Sequence, residues 1–194
     1  MTSLLKKNNN KGRIFIVSAP SGSGKTTLCR KMLERFPFLS YSISHTTRAP
    51  RKDEKEGIDY FFITKKEFLK KIQENFWAEW AKVHDNLYGT SLKFIKEKIE
   101  KGSSLLLDID IQGAKQIKAA IPNGVTIFIM PPSFRVLEQR LRLRGTDSED
   151  VIQKRLANAE KEMQEKNFYD FSIVNDDLNM ADLELAQIIE RAFL

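Results

Sequence analysis

Residues Ala19, Pro20, Ser21, Gly22, Ser23, Gly24, Lys25 and Thr26, followed by Thr27, are types suited in this order to holding phosphate. Gly22 and Gly24 let the backbone turn its N–H groups toward an anion where a side chain would block phosphate oxygens. Lys25 adds a mobile cation, and Thr26 a hydroxyl suited to Mg²⁺. The apolar run 14–17 comes before, and a helical pattern over 27–36 comes after. Strand, loop and helix thus follow in the order that aims a positive helix end at the same anion. The usual pattern opens on glycine; Ala19 stands there in this chain, so the loop must begin in a conformation that a Cβ tolerates. These residues favour a nucleotide-binding protein over a Gly/Ser-rich turn with an incidental lysine.

Other charged residues fall where they could act on the same ligand. Arg48 and Arg51 flank Ala49-Pro50, and Pro50 keeps the segment out of a regular helix. Two guanidinium forks so placed suit a phosphate, the competing reading being a solvated basic loop. Leu105-Leu106-Leu107 ends in Asp108, an acid at the carboxyl end of an apolar strand, where it would lie beside the phosphate loop and hold Mg²⁺ directly or through water. Arg140, Arg142 and Arg144 stand at every second position, and helical geometry sends neighbours at that spacing to different faces.

The elements that must position these side chains follow from periodicity. Apolar segments over 14–17, 39–43, 104–109, 125–130 and 171–174 read as strands, with helices between most of them. That alternation predicts an α/β fold with a parallel sheet covered on both faces. A last helix over 180–193 follows Asn179 as its cap and carries Leu183, Leu185, Ile188, Ile189 and Phe193 as core residues. Two interruptions break the order. Over about 46–91, the runs 60–63, 76–81 and 82–88 read as short antiparallel strands with a turn at Asp85-Asn86, and Thr64 and Glu67 form a capping box. Over about 137–157, an arginine-rich helical hairpin broken at Gly145 reads as a lid.

Composition bounds the rest. A chain of 194 residues buries one sizeable core and is expected to form one domain. No apolar run approaches the ~20 residues of a membrane span, and the N-terminus lacks a signal-like apolar stretch, so a cytoplasmic protein without membrane contact is expected. Cys29 is the single cysteine, which excludes an internal disulfide, and it reads as a core residue. With only His45 and His84 as histidines there is no zinc pattern. Four of the six net positive charges are Lys6, Lys7, Lys11 and Arg13, so the body is near balance and offers no stripe for nucleic acid. The tail over 1–12, with Asn8-Asn9-Asn10, is expected to be disordered.

Taken in order, SAPSGSGKTT, SHTTRAPR, DYFF, Glu79 before Trp80-Ala81, YGT at 88–90, LDIDIQG at 107–113, LRLRG and VNDDL resemble the guanylate kinase family over about residues 13–194. The resemblance implies a three-layer core around a parallel sheet with the phosphate loop, an inserted small antiparallel GMP-binding subdomain (about 46–91) and a helical lid (about 137–157). It implies that Arg48 and Arg51 grip the phosphate of GMP with the hydroxyls of Tyr60 and Tyr88. It gives Glu79 and Asp110 the guanine base, with Ser44 and Thr90 donating to it; Thr90 also reads as the cap of a helix over 91–100. Arg140, Arg144 and Arg155 are implied to face ATP from the lid. Asn175 and Asp177 fall in the family's segment near adenine, with capping of the last helix as their alternative role.

The implied activity is transfer of the γ-phosphoryl group of MgATP to GMP, with dGMP as a second acceptor and with Lys25, Arg48, Arg144 and Arg155 around the transferring group. Guanine presents N1–H and a 2-amino group side by side, and an ionised carboxylate that only accepts hydrogen bonds is their natural partner. An alternative of another class is the guanylate kinase-like binding module of scaffold proteins, which has lost catalysis; the phosphate-loop lysine and lid arginines present here argue against it. Oligomeric state is left open.

Overall fold

Apolar periodicity becomes two sheets and a helical pair in the computed structural model, which describes residues 12–83, 85–143, 145 and 148–194. In chain order the elements are β1 (Ile14–Ser18), α1 (Lys25–Arg35), β2 (Leu39–Tyr41), β3 (His45–Thr46), β4 (Phe61–Phe62), α2 (Lys65–Gln73), β5 (Trp77–Val83), β6 (Asn86–Ser91) and α3 (Leu92–Glu100). They continue as β7 (Ser104–Asp108), α4 (Ile111–Ala120), β8 (Val125–Met130), α5 (Phe134–Leu143), α6 (Glu149–Gln164), β9 (Phe171–Val174) and α7 (Leu178–Arg191).

The main sheet has the order β2-β7-β1-β8-β9, and its neighbouring strands pair in parallel. Every residue of β1 is buried because helices cover both faces, which is why this strand reads as an unbroken apolar run. Its side chains alternate between two cores. Phe15 and Val17 pack with Leu28 and Met32 of α1 and Leu185 and Ile189 of α7, while Ile14 and Ile16 pack with Ile95 of α3 and Ile117 of α4. Cys29 lies in the first of these cores, as expected from the sequence.

The second sheet, ordered β4-β3-β6-β5, is mixed rather than wholly antiparallel. β3 pairs antiparallel with β6 but parallel with β4, since the chain makes a long excursion over residues 47–60 between them. The hairpin strands are β5 and β6, so Lys82 and Val83 belong to the first strand and not, as the sequence suggested, to the second. Phe68, Trp77 and Leu87 are its core, and the Phe68 and Trp77 rings stack at 4.3 Å. The capping box forms: Thr64 Oγ1 accepts from Glu67 N, and the Glu67 carboxylate accepts from Thr64 N at 2.8 Å.

The arginine-rich segment is a helical pair, α5 and α6, extending beyond both ends of the expected hairpin, with Leu137, Leu141, Ile152, Leu156 and Ala159 packed between them. Three helix starts differ from expectation. α1 begins at Lys25, two residues early, because Gly24 adopts a left-handed conformation (φ 88°) that starts the helix directly from the loop. α3 is capped by Ser91, whose Oγ accepts from Phe94 N, and not by Thr90. α7 is capped by Asp177 rather than Asn179, and Leu183 is 48% exposed and outside the core. The expected disorder over 1–12 lies, but for Gly12, outside the described residues.

Candidate functional site

A cleft of about 430 Å³ opens at the carboxyl end of the main sheet, between the phosphate loop, the small sheet and α6. Its position follows from topology: loops leaving the ends of parallel strands converge there. Ala19 to Thr27 form one wall, Ser44, Tyr60, Glu79 and Tyr88 another, and Asp108 and Asp110 the floor. Arg155 of α6 reaches the same space, with Asn158 and Glu162.

The loop is shaped by its glycines and by a residue far along the chain. Gly22 has φ 98°, and a Cβ there would lie 2.9 Å from Leu137 Cδ1. A Cβ on Gly24 would lie 2.3 Å from Asn175 Nδ2, which donates instead to the Ser23 carbonyl at 2.8 Å. Asn175 is buried after β9; its own carbonyl accepts from Arg140 Nη2 at 3.0 Å. Asn175 therefore meets the phosphate loop, and Arg140 meets Asn175, and neither is among the residues lining the cleft. Asp177 does not line it either, because its carboxylate accepts from Asn179 N and Met180 N. Of the two roles open to Asp177, the structure displays the cap.

Lys25 Nζ donates to Asp108 Oδ1, and Thr26 Oγ1 to Asp108 Oδ2 at 3.2 Å. Burial pulls the pKa of the Lys25 ammonium down, but the Asp108 carboxylate more than offsets this and the pKa is raised, so the lysine stays charged. A threonine hydroxyl beside a carboxylate is the hard-oxygen pair that suits Mg²⁺. Among the described residues no three His, Cys, Asp or Glu side chains gather that could hold a metal.

At the opposite end lies an acidic pair. Glu79, on β5, is 3% exposed, and its Oε1 accepts from the Thr90 hydroxyl at 2.5 Å. Burial pushes its carboxyl up to about 7; Thr90 acts against the shift and the neighbouring Asp110 adds to it. Asp110 caps α4 by accepting from Gly113 N at 2.8 Å, and its carboxyl is also raised by burial. Two desolvated acceptors in a cleft demand a ligand with donors.

Arg48 lies at the edge of this region. Its Nη2 donates to both Glu54 oxygens, at 2.7 and 2.9 Å, and its Nε to the Tyr88 hydroxyl at 3.2 Å. Its guanidinium carbon sits 5.4 Å from the centre of the Tyr60 ring. Arg51 is more exposed, but its backbone N–H also donates to Glu54, at 2.8 Å. Glu54 was not singled out from the sequence, although an acid three residues beyond Arg51 is a signal of local pairing. Glu162 was also missed; burial and Asp110 push its carboxyl up to about 7, with Lys25 acting against them. Arg142, which the resemblance did not place at ATP, is held by Glu138 and Glu149, and Arg144, which it did, lies outside the described residues.

Comparison with known proteins gives the family. A family model described as guanylate kinase matches residues 11–192. The guanylate kinase of Syntrophotalea carbinolica is 51% identical over 178 residues, covering 92% of this chain and 85% of that protein. That of Geobacter sulfurreducens is 49% identical, covering 92% and 88%. The crystal structure of guanylate kinase from Anaplasma phagocytophilum superposes with a TM-score of 0.77 at 34% identity, over 96% of this chain and 88% of that one. With the Gly-rich loop and Lys25 at one end of the cleft, Glu79 and Asp110 at the other and similarity along nearly the whole chain, the chain belongs to the guanylate kinase family.

Proposed function

We propose that this cleft transfers the γ-phosphoryl group of ATP to the phosphate of GMP, giving ADP and GDP, and that dGMP is a second acceptor. ATP-dependent phosphorylation of GMP is the activity of the family. The observation that carries the assignment of ends is the pairing, in one cavity, of Lys25 on the phosphate loop with the buried carboxyl of Glu79 and the half-buried carboxyl of Asp110. ATP phosphates lie along residues 19–27, whose N–H groups and the N-terminus of α1 favour an anion. GMP lies across the small sheet, with N1–H and the 2-amino group donating to Glu79 and Asp110 and with Ser44 and Thr90 completing the base site. Adenine would leave a buried carboxylate unpaired, which costs on the order of 10⁴ in selectivity.

The phosphate of GMP is met by Arg48, Arg51, Tyr60 and Tyr88. Its second pKa is about 6, so it is mostly an anionic nucleophile at neutral pH and requires no general base. The protein's task is alignment and charge neutralisation, by Lys25 and Arg48 from the core and small sheet and by Arg144 and Arg155 from the lid. Arg140 supports this wall through the Asn175 carbonyl. Thr26 and Asp108 would hold Mg²⁺, which when bound neutralises phosphate charge. No helix of the described residues is long and apolar enough to cross a membrane, and a cytoplasmic location accords with nucleotide substrates.

The test is ADP production from MgATP with GMP, dGMP, AMP, CMP and UMP supplied separately and compared with ATP alone. Stimulation by GMP and dGMP is expected. Stimulation by another monophosphate would keep the kinase and overturn the role of Glu79 and Asp110; GMP binding without turnover would make the chain a binding module.

A further inference from the structure

Glu79 lies on β5, the outer strand of the small sheet, while Asp110 lies at the start of α4, against the main sheet. No single element therefore fixes the distance between the two carboxyls. β5 pairs with β6 along one edge, with an irregularity between Trp77 and Glu79. Along its other edge it meets α4, where Gln116 offers its side-chain amide to the residue after Glu79. Trp80 N donates to Gln116 Oε1 at 3.1 Å, and Gln116 Nε2 donates to the Trp80 carbonyl at 2.8 Å. A primary amide carries a donor and an acceptor on one fork, so Gln116 stands in for a residue of a neighbouring strand. One turn earlier on the same helix face, Gly113 lies under Glu79: a Cβ there would lie 2.5 Å from Glu79 Oε2.

We propose that Gln116 is a positioning residue for base recognition: by clamping the Trp80 backbone to α4 it sets Glu79 over Gly113 and beside Asp110, and so sets the preference for a purine bearing a 2-amino group. This rests on the reading of Glu79 as an acceptor for guanine. Gln116 is exposed, so water replaces its two bonds when it is removed and the fold survives. What changes is the register of Glu79 against Asp110, which a GMP analogue without the 2-amino group senses less.

The experiment measures kcat and KM for GMP, inosine monophosphate and ATP, with thermal midpoints, in Gln116→Met, Gly113→Ala and Glu79→Gln. Gln116→Met keeps the length of the side chain and removes both hydrogen bonds. Its KM for GMP is expected to rise about fivefold, with KM for inosine monophosphate and for ATP changing by less than about twofold, the scale of one or two exposed hydrogen bonds. Gly113→Ala displaces the carboxylate directly and is expected to lose the same selectivity. An unchanged ratio of GMP to inosine monophosphate in Gln116→Met, or an equal rise in KM for ATP, overturns the proposal if Glu79→Gln does collapse that ratio. If Glu79→Gln leaves the ratio intact, the reading of Glu79 itself is wrong and the role of Gln116 falls with it.

Discussion

Asn175 donates its side-chain amide to the carbonyl of Ser23 at 2.8 Å, joining the end of the last strand to the middle of the phosphate loop across 152 positions of sequence. The bond is buried, so no water replaces it. Asn175→Ala leaves the Ser23 carbonyl unsatisfied and is expected to destabilise the fold by about 1–3 kcal/mol. Because Gly24 packs against this amide, KM for ATP should rise more than KM for GMP. Thermal unfolding and initial rates with each nucleotide varied in turn check this; equal effects on both nucleotides would detach Asn175 from the loop.

Lys25→Met removes the cation of the phosphate loop and leaves Asp108, with 8% of its side chain exposed, without its lysine partner. Turnover should fall by orders of magnitude, as should that of Arg155→Ala, with circular dichroism unchanged. Near-normal rates in both variants would remove these residues from the transfer step.

The acidic limb of GMP recognition should be set by Glu79. Its carboxyl is held up to about 7 by burial, and protonation turns one of its acceptors into a donor that faces guanine's own donors, so KM for GMP should rise as pH falls below about 7. GMP itself titrates near about 6, so the comparison is with Glu79→Gln, in which the component near 7 should vanish. Thr90→Val removes a hydrogen bond that favours the ionised form and should move that component to higher pH. A profile identical in all three proteins would contradict the assignment.

The same group makes stability depend on pH. Folded Glu79 binds its proton more tightly than the unfolded chain, whose glutamates titrate near the ordinary 4.5. Between about 4.5 and 7 the folded state therefore holds more protons, and the Glu79 contribution to stability declines as pH rises through that window. Urea midpoints of the wild type and Glu79→Gln across this range should diverge in that direction.

The small sheet depends on a core of few side chains. Phe68 is fully buried against Trp77, and Phe68→Ala should destabilise this unit by about 3–5 kcal/mol. If the small sheet opens on its own, hydrogen exchange will quicken in β5 and β6 while β1 and β7 stay protected.

Elements with strong local causes were legible in the sequence. The central strands β1, β7 and β8 are largely apolar, the capping box at Thr64 is a four-residue motif, and the Gly-rich loop between β1 and α1 is a contiguous segment. The caps were harder to read: Ser91 against Thr90 and Asp177 against Asn179 differ by one or two positions, and neighbouring polar residues offer similar hydrogen bonds until packing fixes the helix axis. Leu183 was misread as core because helical spacing gives a stripe but not its width.

The sequence by itself determined that a Gly-rich loop joins β1 to α1 and that the fold is α/β, because these rest on contiguous residues and local periodicity, and its ordered motifs carried the resemblance to guanylate kinases. Tertiary structure alone decided that Glu54 holds Arg48, that Asn175 ties down the phosphate loop, and that Gln116 braces the strand carrying Glu79. Each of these last contacts is made by a polar side chain whose type would serve equally well as solvated surface. Only the folded arrangement of strands, helices and the 47–60 excursion brings donor and acceptor within reach and makes each pair specific.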